Sequence, residues 1–331
     1  MPAQRYDVIG VGNAIVDVIA QTGDDFITAH QLNKGSMRLI DAEQAVRLYD
    51  AMPPSIEASG GSAANTVAGV SSLGSRVAYV GKVRDDQLGA VFRHDLRAIG
   101  VDFDVPSAPG GPPTGRCLIV VTPDAERTMS TFLGIAAELE PDDVDEELCA
   151  SAAVVYCEGY LWDVDSAKAA IRKAMAAAKR AGRKVALSLS DGFCVDRHRQ
   201  EFLQLAEDYV DLLFANEGEL CSLYEVDDVE AAVARVKGHC EVAAVTLSAR
   251  GSVIVTEGER VEVPAWSTGV VLDTTGAGDQ YAAGFLHGYA AGRSLDVCGR
   301  LGSLAAGEVI SHVGPRPAEP LDKLASHHGL L

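Results

Sequence analysis

Residues 153–189 read AVVYCEGYLWDVDSAKAAIRKAMAAAKRAGRKVALSL, and their rhythm decides the fold class. The runs 153–157 and 185–189 are mostly continuous apolar stretches, not in-and-out alternations, as in strands covered on both faces. Between them, residues 163–181 carry alanine and large apolar residues at helical spacing. Gly182 follows, where a left-handed residue closes a helix. A strand, a helix and a second strand at this spacing make a right-handed crossover between parallel neighbours. Working outward, similar apolar runs occupy 6–11, 77–83, 210–214 and 242–247, and a second convincing helix spans 86–99, closed by Gly100. The expected fold is therefore α/β, a doubly wound and mainly parallel sheet flanked by helices.

Two segments break the rhythm. Residues 36–40 form a short strand-like piece ahead of a helix capped by Asp41. Residues 114–131 read as a hairpin, with strands near 117–121 and 127–131 joined through Pro123-Asp124-Ala125, a Pro-Asp turn signal. Neither fits the crossover scheme, so both are assigned to a small accessory sheet over one face of the main one. The chain of 331 residues is read as one domain with a subdomain formed by about 13–21, 35–41 and 114–131.

Apolar residues make up 47% of the chain and charged ones 23%, which excludes wholesale disorder. The net charge of −19 argues against nucleic acid or an anionic membrane surface as the main partner, because phosphates would be repelled over most of the surface. It leaves room for a phosphorylated small molecule held by local dipoles. No run approaches the roughly 20 apolar residues of a membrane span, and the N-terminus lacks a leader pattern, so a cytoplasmic location is expected. The seven cysteines are odd in number and contain no C-x-x-C, the pattern of reduced, space-filling thiols.

Polar groups follow the apolar runs at Gly12-Asn13, Glu158-Gly159-Tyr160, Ser190-Asp191, Asn216-Glu217 and Ser248, and ligands of open parallel sheets gather beyond such strand ends. The most informative stretch is Asp273-Thr274-Thr275-Gly276-Ala277-Gly278-Asp279, a Gly-rich turn that opens a buried helix. Free amides at such a helix start, with the helix dipole behind them, form an anion hole. A carboxylate there repels a bound anion, so Asp279 makes sense as the acceptor of a proton from an attacking hydroxyl. The competing reading is an ordinary turn with Asp279 as N-terminal helix charge.

A second glycine-rich helix start runs from Ser59-Gly60-Gly61 to Asn65, fitted either for close approach of a ligand or for tight packing on the sheet. Asn216 and Glu219, three apart at a helix start, suit either a hydrated magnesium ion or the helix dipole. Gly10-x-Gly12 begins like a dinucleotide fingerprint. Ile15, however, stands at the third glycine position, and strand-like residues follow where a helix is required. No Walker loop and no G-x-S-x-G nucleophile elbow occurs.

Together these residues resemble the ribokinase-like (PfkB) carbohydrate and nucleoside kinase family over nearly the whole chain. Asp273–Asp279 is similar to its C-terminal signature. Gly60-Gly61…Asn65, through Leu73-Gly74, Val80-Gly81, Asp85-Asp86 and Gly89, is similar to its N-terminal one. Asn216…Glu219 matches its N-x-x-E, and Thr246-Leu247-Ser248…Gly251 its nucleotide-side strand and turn, with Ser248 where glycine is usual. Asp191-Gly192-Phe193 departs from the D-x-N of sugar-kinase relatives.

The resemblance implies transfer of the ATP γ-phosphoryl group to a primary hydroxyl. Asp279 would be the base, and Gly276, Ala277 and Gly278 the anion hole. Asn13, Asp17, Gly60, Gly61 and Asn65 would hold the acceptor. Asn216, Ser248, Gly251, Thr274, Gly276, Gly278 and Arg127 would meet ATP, with Glu219 and Asn216 organising Mg2+. Arg127 reads either as an arginine of a water-excluding lid or as a surface salt bridge. Some relatives use a monovalent cation near Asp273 and Thr275, which leaves K+ open here, as are monomer and homodimer. Residues 10–17, 35–37 and 305–314 lean toward the adenosine-kinase branch, making a nucleoside the expected acceptor and ribose, fructose or 2-keto-3-deoxygluconate the alternative.

Overall fold

The computed structural model describes residues 3–124 and 126–331; Met1, Pro2 and the Ala125 of the expected hairpin turn lie outside them. In chain order the strands are β1 (Tyr6–Val11), β2 (Ile15–Gln21), β3 (Met37–Leu39), β4 (Ile56–Gly60), β5 (Val77–Val80), β6 (Val101–Asp102) and β7 (Gly115–Val121). They continue as β8 (Arg127–Phe132), β9 (Ala152–Glu158), β10 (Lys184–Ser188), β11 (Leu212–Asn216), β12 (Val242–Thr246), β13 (Ser252–Val255) and β14 (Arg260–Val263).

The main sheet has nine strands in the order β14-β13-β12-β11-β10-β9-β1-β5-β6. All neighbours from β12 to β6 are parallel, and β13 and β14 add an antiparallel edge. The continuous apolar runs are the central strands, and consecutive residues of β1, β9 and β12 are buried because both faces are covered. One contiguous core contains Tyr79, Phe92, Phe103, Tyr156, Trp162 and Phe285, all essentially inaccessible. Each such side chain contributes about 1.5–3 kcal/mol by leaving water.

The crossover helix is Asp165–Arg180. It starts later than the spacing predicts because Gly159–Asp163 forms a tight 3₁₀ turn first. Gly182 is left-handed (φ +66°), and the Arg183 amide turns back to the Ala178 carbonyl at 2.9 Å.

The small sheet has the order β3-β8-β7-β2-β4. It contains every segment expected of it and one more. β4 escapes the sequence because only its last two residues are fully buried, with Ile56 exposed. One face packs Val18, Ile40, Leu118 and Val120 against Leu48 of the helix Ala42–Ala51. The other face carries Asp17, opposite Cys117, which is opposite Thr131, with Arg127 and Met129 further along. Asp86 ties the two layers: it caps the helix Gln87–Ala98 through the Gly89 amide (2.8 Å) and accepts the Thr114 hydroxyl (2.7 Å) and amide (2.9 Å).

Among the described residues no helix is long and apolar enough to cross a membrane, and all seven cysteines are free.

Candidate active site

Glu158, at the end of β9 and 1% exposed, ties the turn after β1 to the start of the helix Ser62–Ser72. One of its oxygens accepts from the Asn13 amide (2.7 Å) and side-chain Nδ2 (2.8 Å); the other accepts from the Ala63 amide (2.8 Å). Burial pushes its carboxyl up to about 7 against the pull of these donors. The same contact explains Gly12, where a Cβ would lie 2.5 Å from Glu158 Oε2. At Gly10 it would lie 2.6 Å from Val67 of the helix Ser62–Ser72. The pair that looks like a dinucleotide fingerprint therefore serves carboxylate contact and helix packing.

Gly61 starts that helix at φ +97°, and a Cβ on it would stand 2.3 Å from the Asn13 carbonyl. At Gly60 a Cβ would lie 2.4 Å from the Asp17 carboxyl. Asp17 is buried, and desolvation raises its carboxyl to about 7, opposed by Arg316 and Arg127.

The helix Ala277–Ala290 opens at Gly276, left-handed at φ +77°, where a Cβ would lie 2.6 Å from the Pro315 carbonyl oxygen. Its Asp279 accepts from the Ser62 hydroxyl (2.6 Å) and from Asn65 Nδ2 (3.2 Å), and burial raises its carboxyl. The two glycine-opened helices thus meet at this carboxylate. Of the three expected anion-hole amides, that of Ala277 donates to the Thr274 carbonyl at 3.2 Å. The amides of Gly278 and Asp279 belong to the first turn, which has no intrahelical acceptor to offer.

Asp273 fixes the turn, accepting from the amides of Thr275 (3.0 Å) and Gly314 (2.8 Å). It also pairs with Arg127, and both side chains are under 9% exposed. Arg127 therefore reaches from the small sheet into the glycine turn, and the surface salt bridge of the alternative reading is a buried one. Thr274 is exposed beside it.

At the end of β11, Asn216 and Glu219 form a reciprocal cap. Glu219 accepts from Asn216 Nδ2 (2.6 Å) and the Asn216 amide (2.9 Å), and the Glu219 amide donates to Asn216 Oδ1 (2.9 Å). Burial raises Glu219 to about 7. Both its oxygens are engaged, and no cluster of three or more metal-ligating side chains occurs among the described residues. Ser248, in the usual glycine position, is left-handed at φ +54°. Gly251 has φ +89° and sits against the Val263 carbonyl, where a Cβ would lie 2.0 Å away. Asp191 caps the helix Gly192–Asp208 through the Cys194 amide. The Tyr160 phenol, raised by burial, senses Asp191, Asp279, Glu219 and Glu158 together. These four carboxylates therefore lie near one another around Tyr160.

Sequence reasoning missed Arg316, Gln280 and the holding role of Ser62. Arg316 donates to the Ser59 hydroxyl (2.6 Å) and to Asn65 Oδ1 (3.3 Å). Gln280, 0% exposed, donates to the Asn65 and Pro315 carbonyls at 2.9 and 3.0 Å. A lone arginine between prolines in Gly314-Pro315-Arg316-Pro317, after the last core helix, was the available signal.

A doubly wound sheet, a small covering sheet and a glycine turn beside the partly buried Asp279 carboxylate define an ATP-dependent phosphotransferase with an alcohol group as acceptor. The pfkB family carbohydrate kinase profile matches residues 56–322, and the chain belongs to that family. It is similar to the adenosine kinase from Sinorhizobium meliloti, with 53% identity, 98% of this chain and 99% of that chain covered, and a TM-score of 0.93. It is also similar to a "probable sugar kinase protein" from Rhizobium etli CFN 42, with 51% identity, coverage of 99% and 100%, and a TM-score of 0.94. The 5-dehydro-2-deoxygluconokinase of Shouchella clausii is 30% identical over 96% of this chain and 93% of its own.

Proposed function

We propose that the protein transfers the γ-phosphoryl group of ATP to the 5′-hydroxyl of a nucleoside, adenosine before others. The observation that carries the chemistry is Asp279, held by Ser62 and Asn65 at the mouth of a helix opening on left-handed Gly276. The acceptor hydroxyl would donate its hydrogen bond to Asp279, and its oxygen would attack the γ-phosphorus. As the new P–O bond forms, the bond to the β-phosphate oxygen breaks, ADP leaves, and the hydroxyl proton stays on Asp279. The first-turn amides of Gly278 and Asp279, with Gly276 leaving the backbone accessible, would stabilise charge on the migrating group.

Asp17, buried and faced by the side-chain-free Gly60, suits the paired hydroxyls of a ribose, with Asn13, Gly61 and Asn65 around them. The similarity to the S. meliloti adenosine kinase supports adenosine. Arg127 and the small sheet would act as the lid that keeps water from ATP. Ser248, Gly251, Thr274 and Asn216 would border the nucleotide. Magnesium entering with ATP is held mainly by phosphates and water; Asn216 and Glu219 are the protein groups proposed beside it, and direct ligation by Glu219 would open its cap.

A free sugar or sugar acid is the second reading, supported by the similarity to the S. clausii enzyme. An assay of ADP release over adenosine, inosine, guanosine, ribose, fructose and 5-dehydro-2-deoxygluconate decides. Adenosine should lead in kcat/KM by about tenfold or more. A strong preference for a free sugar overturns the acceptor and leaves the phosphotransfer standing.

A further inference from the structure

Arg316 lies in the loop after the helix Leu295–Val309, and its backbone is fixed by the glycine turn. The Pro315 carbonyl takes the Gln280 amide group and fills the space beside Gly276. From there the guanidinium spans three elements. Nη1 donates to Ser59 at the end of β4, and Nε donates to Asn65 Oδ1 in the helix Ser62–Ser72. Nη2 is shielded from solvent and has no hydrogen-bond partner, as is also true of Asn13 Oδ1, whose residue is 3% exposed. A buried donor and a buried acceptor are thus left open, each able to serve a hydroxyl-bearing ligand.

The decisive contact is with Asn65. Because its Oδ1 accepts from Arg316, its Nδ2 is the end that faces Asp279, at 3.2 Å. Turned over, the amide would set an oxygen against the carboxylate, and the hydrogen bond would become a repulsion.

We infer that Arg316 is a positioning residue for phosphotransfer: it fixes the Asn65 amide so that Asp279 is aimed at the acceptor hydroxyl, and it supplies the positive charge that faces Asp17. This rests on the proposed role of Asp279 and names how that carboxylate is held. Asp17 is faced by Arg316, by Arg127 from β8, by Asp279 from the helix Ala277–Ala290 and by the Cys117 thiol from β7. Arg316 is the foremost group opposing the burial that raises Asp17.

The experiment compares Arg316→Met, Arg316→Lys, Asn65→Ala and the Met/Ala double variant in the full chain, with Asp279→Asn as reference. Folding is checked by circular dichroism and thermal melting. Arg316→Met should lower kcat about 10–100-fold, and KM for ATP should stay within about twofold. In the Asn65→Ala background the same substitution should have little further effect on kcat, because the route through Asn65 is already gone. The acid limb of kcat/KM should move to higher pH in the Met variant and stay in place in Arg316→Lys. Lysine keeps the charge but cannot hold Ser59 and Asn65 from separate nitrogens, so its kcat should remain low. Should Arg316→Met fail to fold, the lysine variant carries the kcat test alone. A folded variant at 316 with wild-type kcat, or full additivity with Asn65→Ala, overturns the inference. If Asp279→Asn itself turns over normally, the base assignment falls instead.

Discussion

The helices Ser62–Ser72 and Ala277–Ala290 open on left-handed glycines and have no side-chain cap. The helices Ala42–Ala51, Gln87–Ala98 and Gly192–Asp208 open on Asp41, Asp86 and Asp191, each of which accepts an amide of its own first turn. In the second group the chain satisfies one of the free first-turn donors with its own side chain. In the first group the amides are served from a distance, as Ala63 is by Glu158, or remain for a ligand. Of these five helices, the two that open on glycine are the ones that meet at Asp279.

Four changes test that contrast. Asp279→Asn should cut kcat by about 10²–10⁴, with melting little altered, read in the ADP-release assay. A variant with wild-type turnover would return Asp279 to the role of an ordinary helix charge. Gly276→Ala forces an L side chain into φ +77° and against the Pro315 carbonyl. It should lower kcat/KM about 10²-fold and cost about 1–3 kcal/mol in thermal unfolding.

The third change is pH. Asp17, Glu158 and Glu219 are all raised by burial to about 7. Folding therefore takes up protons between about pH 4 and 7, and their ionisation costs stability as pH rises through 7. Lowering pH from 8 to 6.5 should raise the melting temperature, while kcat/KM for the acceptor falls about fourfold as Asp17 takes its proton. Parallel movement of the two would show that ionised Asp17 is not what the acceptor meets.

The smallest effect is expected at a capped start. Asp41→Ala removes a reciprocal cap with Gln44 on an exposed helix. It should cost about 1 kcal/mol and leave kcat unchanged, by denaturant titration and assay.

What the sequence displays of this molecule follows the same division. The central strands are legible because both their faces are covered, so their apolar runs are unbroken, and capped helices announce themselves through Asp41 and Asp86. β4 and the edge strand β14 are short and half exposed, and β13, although buried throughout, is an apolar run of only four residues. At the site, Asp279, Gly61 and Asn65 stand out because they belong to glycine-rich helix starts, whereas Asp17, inside β2, comes from the family resemblance alone. Arg316 and Gln280 do not stand out, because their importance comes from partners far along the chain, Ser59 and Asn65, and no local pattern encodes such pairing. Ser248 keeps the left-handed backbone usual for glycine, so composition hid a conformation that was retained.

The Ser62 hydroxyl that steadies Asp279 lies 217 positions away in the chain, and the Arg316 that steadies Asn65 lies 251 away. On the ribosome these groups emerge at opposite ends of synthesis. A truncated or half-made polypeptide consequently lacks one side of each of these contacts, and the cluster around Asp279 is assembled all at once, with the finished fold.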